Sequence, residues 1–436
     1  MVINADPQAH VIHVKRMAQV GREVDRCIEC GFCESKCPSR RLTLTPRQRI
    51  VIRREISHLQ SSASDSSRLA SLLDDYSYAG NDTCALDGLC ATACPVGIDT
   101  GELTRHLRTE TVKGKAMAEW LADHFLFAER AAGWGIRLGH VAERVIGVSG
   151  VTALSVLAEK TTHARLPKWN GSIPYTSPAV RHLRVPGKVD FIYFPSCVSR
   201  QLGAPKTVER NMECGPRSLL EALLTISGRA WINLHIPEQV PGTCCGMPFA
   251  SKGYPRAYRT VLKKTAGQMW EWSGHGEIPI FIDTTSCVHS LRNCRDELEE
   301  KDRRRWDRLT ILDAVEFLHD HVLPKLEVHL LDEKIVLHPN CSARKLGLET
   351  RMLAIAQRCA GTVSLPLNLG CCAFAGDRGL LFPELTRSAT EMEAAEVLAG
   401  DYDGHYSSKI QCEIGMSQAT GRDYMSIVYL VEQASR

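Results

Sequence analysis

Two regimes of hydrophobic patterning divide the chain. Behind Thr45 and Pro46, a pair suited to an N-cap and a first helical position, Ile50, Ile52 and Ile56 recur at nearly helical spacing. The pattern predicts a helix with one buried side and puts Arg47, Arg49, Arg53 and Arg54 on its solvated face. The serine-rich "SSASDSS" that follows reads as a loop. A helical stretch of mixed polarity runs from about Lys113 to Lys160. Its longest uncharged run, Val145 to Ala158, is shorter than the roughly 20 apolar residues of a spanning helix and is expected to be buried or to lie on the surface. Beyond the linker "RVPGK" the pattern changes to short β-branched and aromatic runs, "KVDFIYFPSC", "EIPIFIDTTSC" and "KIVLHPNC". They alternate with helical stretches such as "PRAYRTVLKKTAGQMWEW" and "ATEMEAAEVLAG", so an all-α N-terminal part is expected to precede α/β layers. Cys197, Cys287 and Cys341 each leave a strand at its carboxyl end, where ligands sit in open α/β sheets.

With 436 residues, the chain has room for several cores, and we place boundaries at 1–112, 113–184, 185–305 and 306–436. A net charge of +3, with scattered basic residues, argues against nucleic acid as a partner. The start, "MVINADPQAHVIHVKRM", lacks a secretory leader pattern, which favours the cytoplasm, free or peripheral at the inner membrane face, with no membrane span. Cysteine changes the picture: 18 thiols in such a compartment argue for metal or redox chemistry over disulfides. Seven lie between Cys27 and Cys94 and eleven between Cys197 and Cys412, so two regions use them.

"CIECGFCESKCPS" spaces Cys27, Cys30, Cys33 and Cys37 by two, two and three residues before Pro38, the bacterial ferredoxin run. In such runs the fourth thiolate serves a different cluster, which demands a second motif. "CALDGLCATACPVGID" supplies it, and reciprocal crossing assigns Cys27, Cys30, Cys33 and Cys94 to one cluster, and Cys37, Cys84 and Cys90 to the other. Asp87 stands where a cysteine is expected. Three readings remain open: a hard oxygen ligand completing a 4Fe-4S cluster, a vacant corner that leaves 3Fe-4S, or the turn residue before Gly88.

The later region repeats itself. "FPSCVSR" at Cys197 pairs with "HPNCSAR" at Cys341, "TCCGMPFASKG" at Cys244 and Cys245 with "GCCAFAGDRG" at Cys371 and Cys372, and Cys287 with Cys412. Each half thus offers four thiols, Cys197, Cys244, Cys245 and Cys287 or Cys341, Cys371, Cys372 and Cys412, for one or two further iron-sulfur clusters or metal sites. Cys214, Cys294 and Cys359 fall outside the repeat and read as small buried hydrophobes. His235, His289 and His338 lie close enough to cysteines in sequence to tune a cluster by hydrogen bonding.

The first pair of motifs resembles the helical ferredoxin domain of the succinate dehydrogenase iron-sulfur subunit, which carries a 4Fe-4S and a 3Fe-4S cluster; there the Asp87 position is apolar. The second region resembles the cysteine-rich CCG domains of heterodisulfide reductase B-type subunits and glycolate oxidase iron-sulfur subunits. Ser290 and Gly415 stand where the reductase has a further thiol, which weakens disulfide catalysis as a function. Taken with "HPNCSARKLG" and "CEIGMSQATG", the chain resembles the iron-sulfur half of FAD-linked D-lactate dehydrogenases. The resemblance implies a helical ferredoxin domain followed by two pseudo-repeated CCG domains, relaying electrons from an FAD-binding subunit or domain to a quinone or cytochrome. It assigns no catalytic residue here. "GWGIRLG" is no G-x-G-x-x-G fingerprint, so FAD is expected only on a partner, with this chain a separate subunit or a fragment.

Overall fold

A computed structural model describes residues 18–62, 65–162, 165–178, 187–206, 216 and 218–436. The stretch read for a leader, most of "RVPGK" and Cys214 lie outside the described residues.

Helix α1, Pro46–Ser62, forms where the spacing predicts it. Gln48 closes half of a capping box by accepting from the Thr45 backbone N–H at 2.9 Å, while the Thr45 hydroxyl turns to Glu34 at 2.9 Å. Ile50 and Ile56 pack with Val24, Tyr76, Ile98, Leu103 and Leu107 in a small core. Two arginines depart from the solvated face assigned to them: Arg49 is only 1% exposed and Arg54 only 7%. Arg49 donates to Gly80 O at 2.9 Å and Ser39 Oγ at 2.8 Å, and lies 3.5 Å from Cys37 Sγ. Arg54 pairs with Glu29 and donates to Cys27 O at 3.0 Å. A helix this close to two thiol loops has acceptors on both flanks, and buried cations persist only where such partners satisfy them. The "SSASDSS" loop is shorter than expected. Asp65 accepts from Arg68 N and starts helix α2, Ser66–Tyr76, inside it.

The α/β part contains two four-stranded parallel sheets. Strands β1 (Phe191–Phe194), β2 (Leu234–His235), β3 (Ile280–Ile282) and β4 (Ile311–Asp313) take the order β2-β1-β3-β4. Strands β5 (Leu331–His338), β6 (Ala360–Ser364), β7 (Gly404–Ser407) and β8 (Tyr424–Ser426) take the order β6-β5-β7-β8. The repeat of cysteines is therefore accompanied by a repeat of topology. Strands β1 and β3 are buried throughout, as parallel strands covered on both faces must be. The boundary placed at 305/306 moves past Asp313, because β4 belongs to the first sheet. The charged run Glu299–Arg308 contains a short helix, Glu300–Trp306, whose Trp306 enters the first core.

Helix α3, Phe125–Thr162, lies between the cysteine-rich N-terminal part and the sheets in the chain and breaks at Gly147, with φ 71° and ψ 167°. It extends N-terminally well beyond the uncharged run, and among the described residues it is the one helix long and apolar enough to cross a membrane by length and composition. Buried arginines join the parts. Arg108 donates to Asn81 O and Cys84 O in the second cysteine loop and to Ser251 O in the first α/β half, and Arg378 of the second half reaches Asp82 O.

Candidate functional site

Left-handed backbone at Glu29 (φ 59°) and Gly31 (φ 83°) folds the first cysteine run around a cavity. Cys27, Cys30, Cys33 and Cys94 all line it, with Ile50 and Ile98. Burial pushes the Cys33 thiol up to about 11, assisted by its neighbours Cys27 and Cys94. Pro38, Arg49 and Asp99 wall a second cavity with Cys37, Cys84, Cys90 and Asp87. Burial raises Cys90, and the carboxylates of Asp99 and Asp87 add to it. Burial opposes the charge on Arg49, but the thiols of Cys84 and Cys37 outweigh burial and raise its pKa.

Asp87 is half-buried, and its pKa is raised chiefly by the loss of solvent around the carboxyl. Its Oδ1 accepts from Leu89 N at 2.9 Å, as a turn residue would before Gly88 (φ 71°). Oδ2 has no nitrogen or oxygen donor and lies beside the Cys371 thiol of the second α/β half. Asp87 therefore stands between the second ferredoxin-type thiol group and one of the later ones.

The thiols of each α/β half also converge. Cys245 and Cys287 sulfurs are 3.1 Å apart, and Cys244 hydrogen-bonds to both Cys197 and Cys245. Cys372 and Cys412 sulfurs are 3.0 Å apart, with Cys371 bonded to Cys341 and Cys372. The residue after each pair takes a left-handed turn, Gly246 at φ 81° and Ala373 at φ 56°. That turn aims its own N–H back at the first thiol of the pair, 3.4 Å from Cys244 Sγ and 3.3 Å from Cys371 Sγ. A Cβ on Gly246 would meet the Tyr258 ring at 2.5 Å, so the larger neighbour fixes glycine there. Cys294 and Cys359 are buried, at 1% and 0% exposure, and Cys294 lies near enough to Cys245 to feel its charge.

The two halves differ in charge. Phe194 of the first half corresponds to His338 of the second, and Thr284 to Lys409. His338 Nδ1 bonds to buried Glu393 at 2.6 Å, while its Nε2 has no oxygen or nitrogen partner. Burial opposes protonation of His338, but Glu393 and Cys372 push it up to about 10. One ligand atom each from His338, Cys372 and Cys412 lies within 4.8 Å of the others. Lys409 is 8% exposed, and its charge is favoured by Cys341, Cys412, Cys372 and Cys371 against the effect of burial. In the first half, Arg200 near Cys197 and Cys244 is instead tied to Glu129. Of the histidines singled out in the sequence, His338 bonds within a thiol group, whereas His289, half-buried, faces Lys345 and is lowered to about 4 mainly by burial.

Sequence reasoning missed Arg49, Lys409 and Glu393. Only the position of Lys409, three residues before Cys412, carried a signal. All four groups present soft sulfur donors, and two of them are backed by the buried cations Arg49 and Lys409 that offset thiolate charge, a donor set suited to iron-sulfur clusters. The spare oxygen of Asp87 and spare nitrogen of His338 point to the same places.

Residues 23–98 match the 4Fe-4S dicluster domain. The matched segment contains all seven early cysteines and Asp87. The chain is also similar to a subunit of the anaerobic glycerol-3-phosphate dehydrogenase of Escherichia coli (strain K12), 21% identical over 39% of this chain and 47% of that one. To lactate utilization protein A 1 of Bacillus mycoides (strain KBAB4) it is 26% identical, over 36% of this chain and 65% of that one. The match thus spans less than two thirds of either relative. Beyond the dicluster segment, a cleft of about 160 Å³ runs between that segment and the second α/β half. Cys37 and Cys371 line it together with Lys36, Arg40, Arg41 and Arg344.

Proposed function

We propose that this chain is the iron-sulfur electron-transfer component of a dehydrogenase, receiving electrons from a flavin-bearing partner that oxidises a 2-hydroxy acid such as D-lactate. The names of its relatives, a glycerol-3-phosphate dehydrogenase subunit and a lactate utilization protein, support a dehydrogenase setting. When bound, the clusters supply one-electron redox chemistry. Cys27, Cys30, Cys33 and Cys94 would hold one, and Cys37, Cys84 and Cys90, with or without Asp87, the next. The later sets, Cys197, Cys244, Cys245, Cys287 and Cys341, Cys371, Cys372, Cys412, would hold the remaining groups. Ile50, Leu89 and Phe374 keep water from these sulfurs, while Arg49 and Lys409 balance their charge.

One observation carries the reading: the second thiol group of the dicluster segment adjoins that of the second α/β half. Leu89, Cys341 and Cys371 form one buried cluster, and the Asp87 carboxyl touches both sides of that boundary. Electrons arriving at the dicluster segment would find the second α/β half adjacent, with the basic cleft as an approach for an acceptor.

Anaerobic reconstitution followed by iron counting and paramagnetic resonance tests this. Two cluster signals are expected from the dicluster segment, one lost in Cys30→Ser and the other in Cys84→Ser. Asp87→Cys separates its roles, since a changed spectrum marks a ligand position and an unchanged one the turn. With the flavin partner and D-lactate, the bound clusters are expected to be reduced. A chain that takes up no iron, or that oxidises D-lactate unaided, overturns the proposal.

A further inference from the structure

Helix α3 presents two unlike faces. Toward the protein it turns Phe125, Glu129, His140 and Glu143. Glu129 bonds Arg200, His140 bonds Pro174 O at 2.9 Å, and Glu143 accepts from Lys206 at 2.7 Å and the Trp169 indole at 3.0 Å. Away from the protein it turns Phe127, Ala131, Trp134, Leu138, Val141 and Val145, spaced by four and three residues in alternation, so all six share one stripe. Phe127, Trp134, Leu138, Val141 and Val145 are 58%, 63%, 64%, 56% and 78% exposed. Beyond the break at Gly147 the apolar surface continues through exposed Leu154 and Leu157.

Charge selects the occupant of this surface. Arg130, Arg137 and Arg144 recur every seven residues along one flank of the stripe, and all are exposed. Between Arg130 and Ala158 the sole carboxylate is Glu143, which is bound on the inner face. An apolar stripe with a basic flank and no acidic one is the pattern of a helix lying in the headgroup layer of an anionic membrane.

We propose that the outward face of α3 seats this chain on an anionic lipid surface, with the helix lying in the plane of the interface. Crossing is disfavoured by the same structure, since the inner face carries ionised groups bound to the rest of the protein and the backbone breaks at Gly147. The inference is independent of the redox reading, because none of the stripe residues belongs to a thiol group.

The test is co-sedimentation of the full chain with vesicles of phosphatidylcholine alone or mixed with phosphatidylglycerol. Binding to the mixed vesicles is expected, released by high salt and alkaline wash. A double variant, Leu138→Asp with Val145→Asp, should remain in the supernatant. Replacing Arg130, Arg137 and Arg144 by Gln should weaken binding by about fivefold per arginine and remove the preference for the anionic lipid. The exposed arginines keep the proposal falsifiable if the aspartate variant folds poorly. Absence of binding to both vesicle types, resistance to extraction by anything but detergent, or a lipid-free dimer broken by the aspartate variant would each overturn it.

Discussion

Arg49 is charged where no solvent reaches, and its partners are two thiols, a hydroxyl and a carbonyl. Arg49→Met should leave thiolates uncompensated and cost about 3 kcal/mol or more, read by chemical denaturation, with less iron bound per chain. Arg49→Lys should restore the iron but only part of the stability, since a single ammonium cannot reach three acceptors at once. In the second α/β half, the first half suggests its own control: His338→Phe and Lys409→Thr copy residues already present at Phe194 and Thr284. On the proposed reading, removing either side chain should lower the midpoint potential of a cluster bound by Cys341, Cys371, Cys372 and Cys412 by roughly 60–130 mV, the equivalent of one charged hydrogen bond. A redox titration followed by paramagnetic resonance reads that shift; an unmoved potential would mean that these side chains serve only packing.

At the scale of elements, α3 is fixed to the first half by Glu129, which is buried against Arg200 and also accepts from Gly242 N at 2.9 Å. Glu129→Gln leaves a buried guanidinium half-satisfied, and a loss of about 3 kcal/mol in urea unfolding is expected. Glu143 supplies a pH-dependent tie. Burial would raise its pKa, but hydrogen bonds from Lys206 and Trp169 lower it below its ordinary 4.5. A carboxyl depressed on folding stabilises above its unfolded value and loses that contribution as acid titrates the folded form. Hydrogen exchange in 169–176 should therefore quicken below pH 4.5. Strands β1, β3 and β5 were legible because a β-branched run entering a cysteine has few other readings. The buried arginines of α1 were not: spacing gives the face a residue shares, and only tertiary structure shows that Cys37 and Ser39 wait beside Arg49.

For the whole molecule, the seven-residue core of the dicluster segment is slight next to the shared core of the sheets. Metal binding there should contribute much of the folding free energy. Stripping iron with a chelator under reducing conditions should expose 18–112 to proteases while both α/β halves stay protected, a contrast that limited proteolysis and mass spectrometry would show. The paired order of thiols announced two equivalent halves, and the sheets repeat in the same order. Their unequal charge was only partly visible: His338 stands in the repeated word where the first half has Phe194, but neither Lys409 nor Glu393 lies within those words. Nor could spacing reveal that Asp87 meets Cys371, because 284 positions of chain separate partners that only folding unites. The clasp of Arg108 and Arg378 on the turn at 81–84 has a mechanical corollary. Bolted to both halves by these contacts, the carrier is held in place, so current through it should be insensitive to solvent viscosity, unlike that of a shuttling arm.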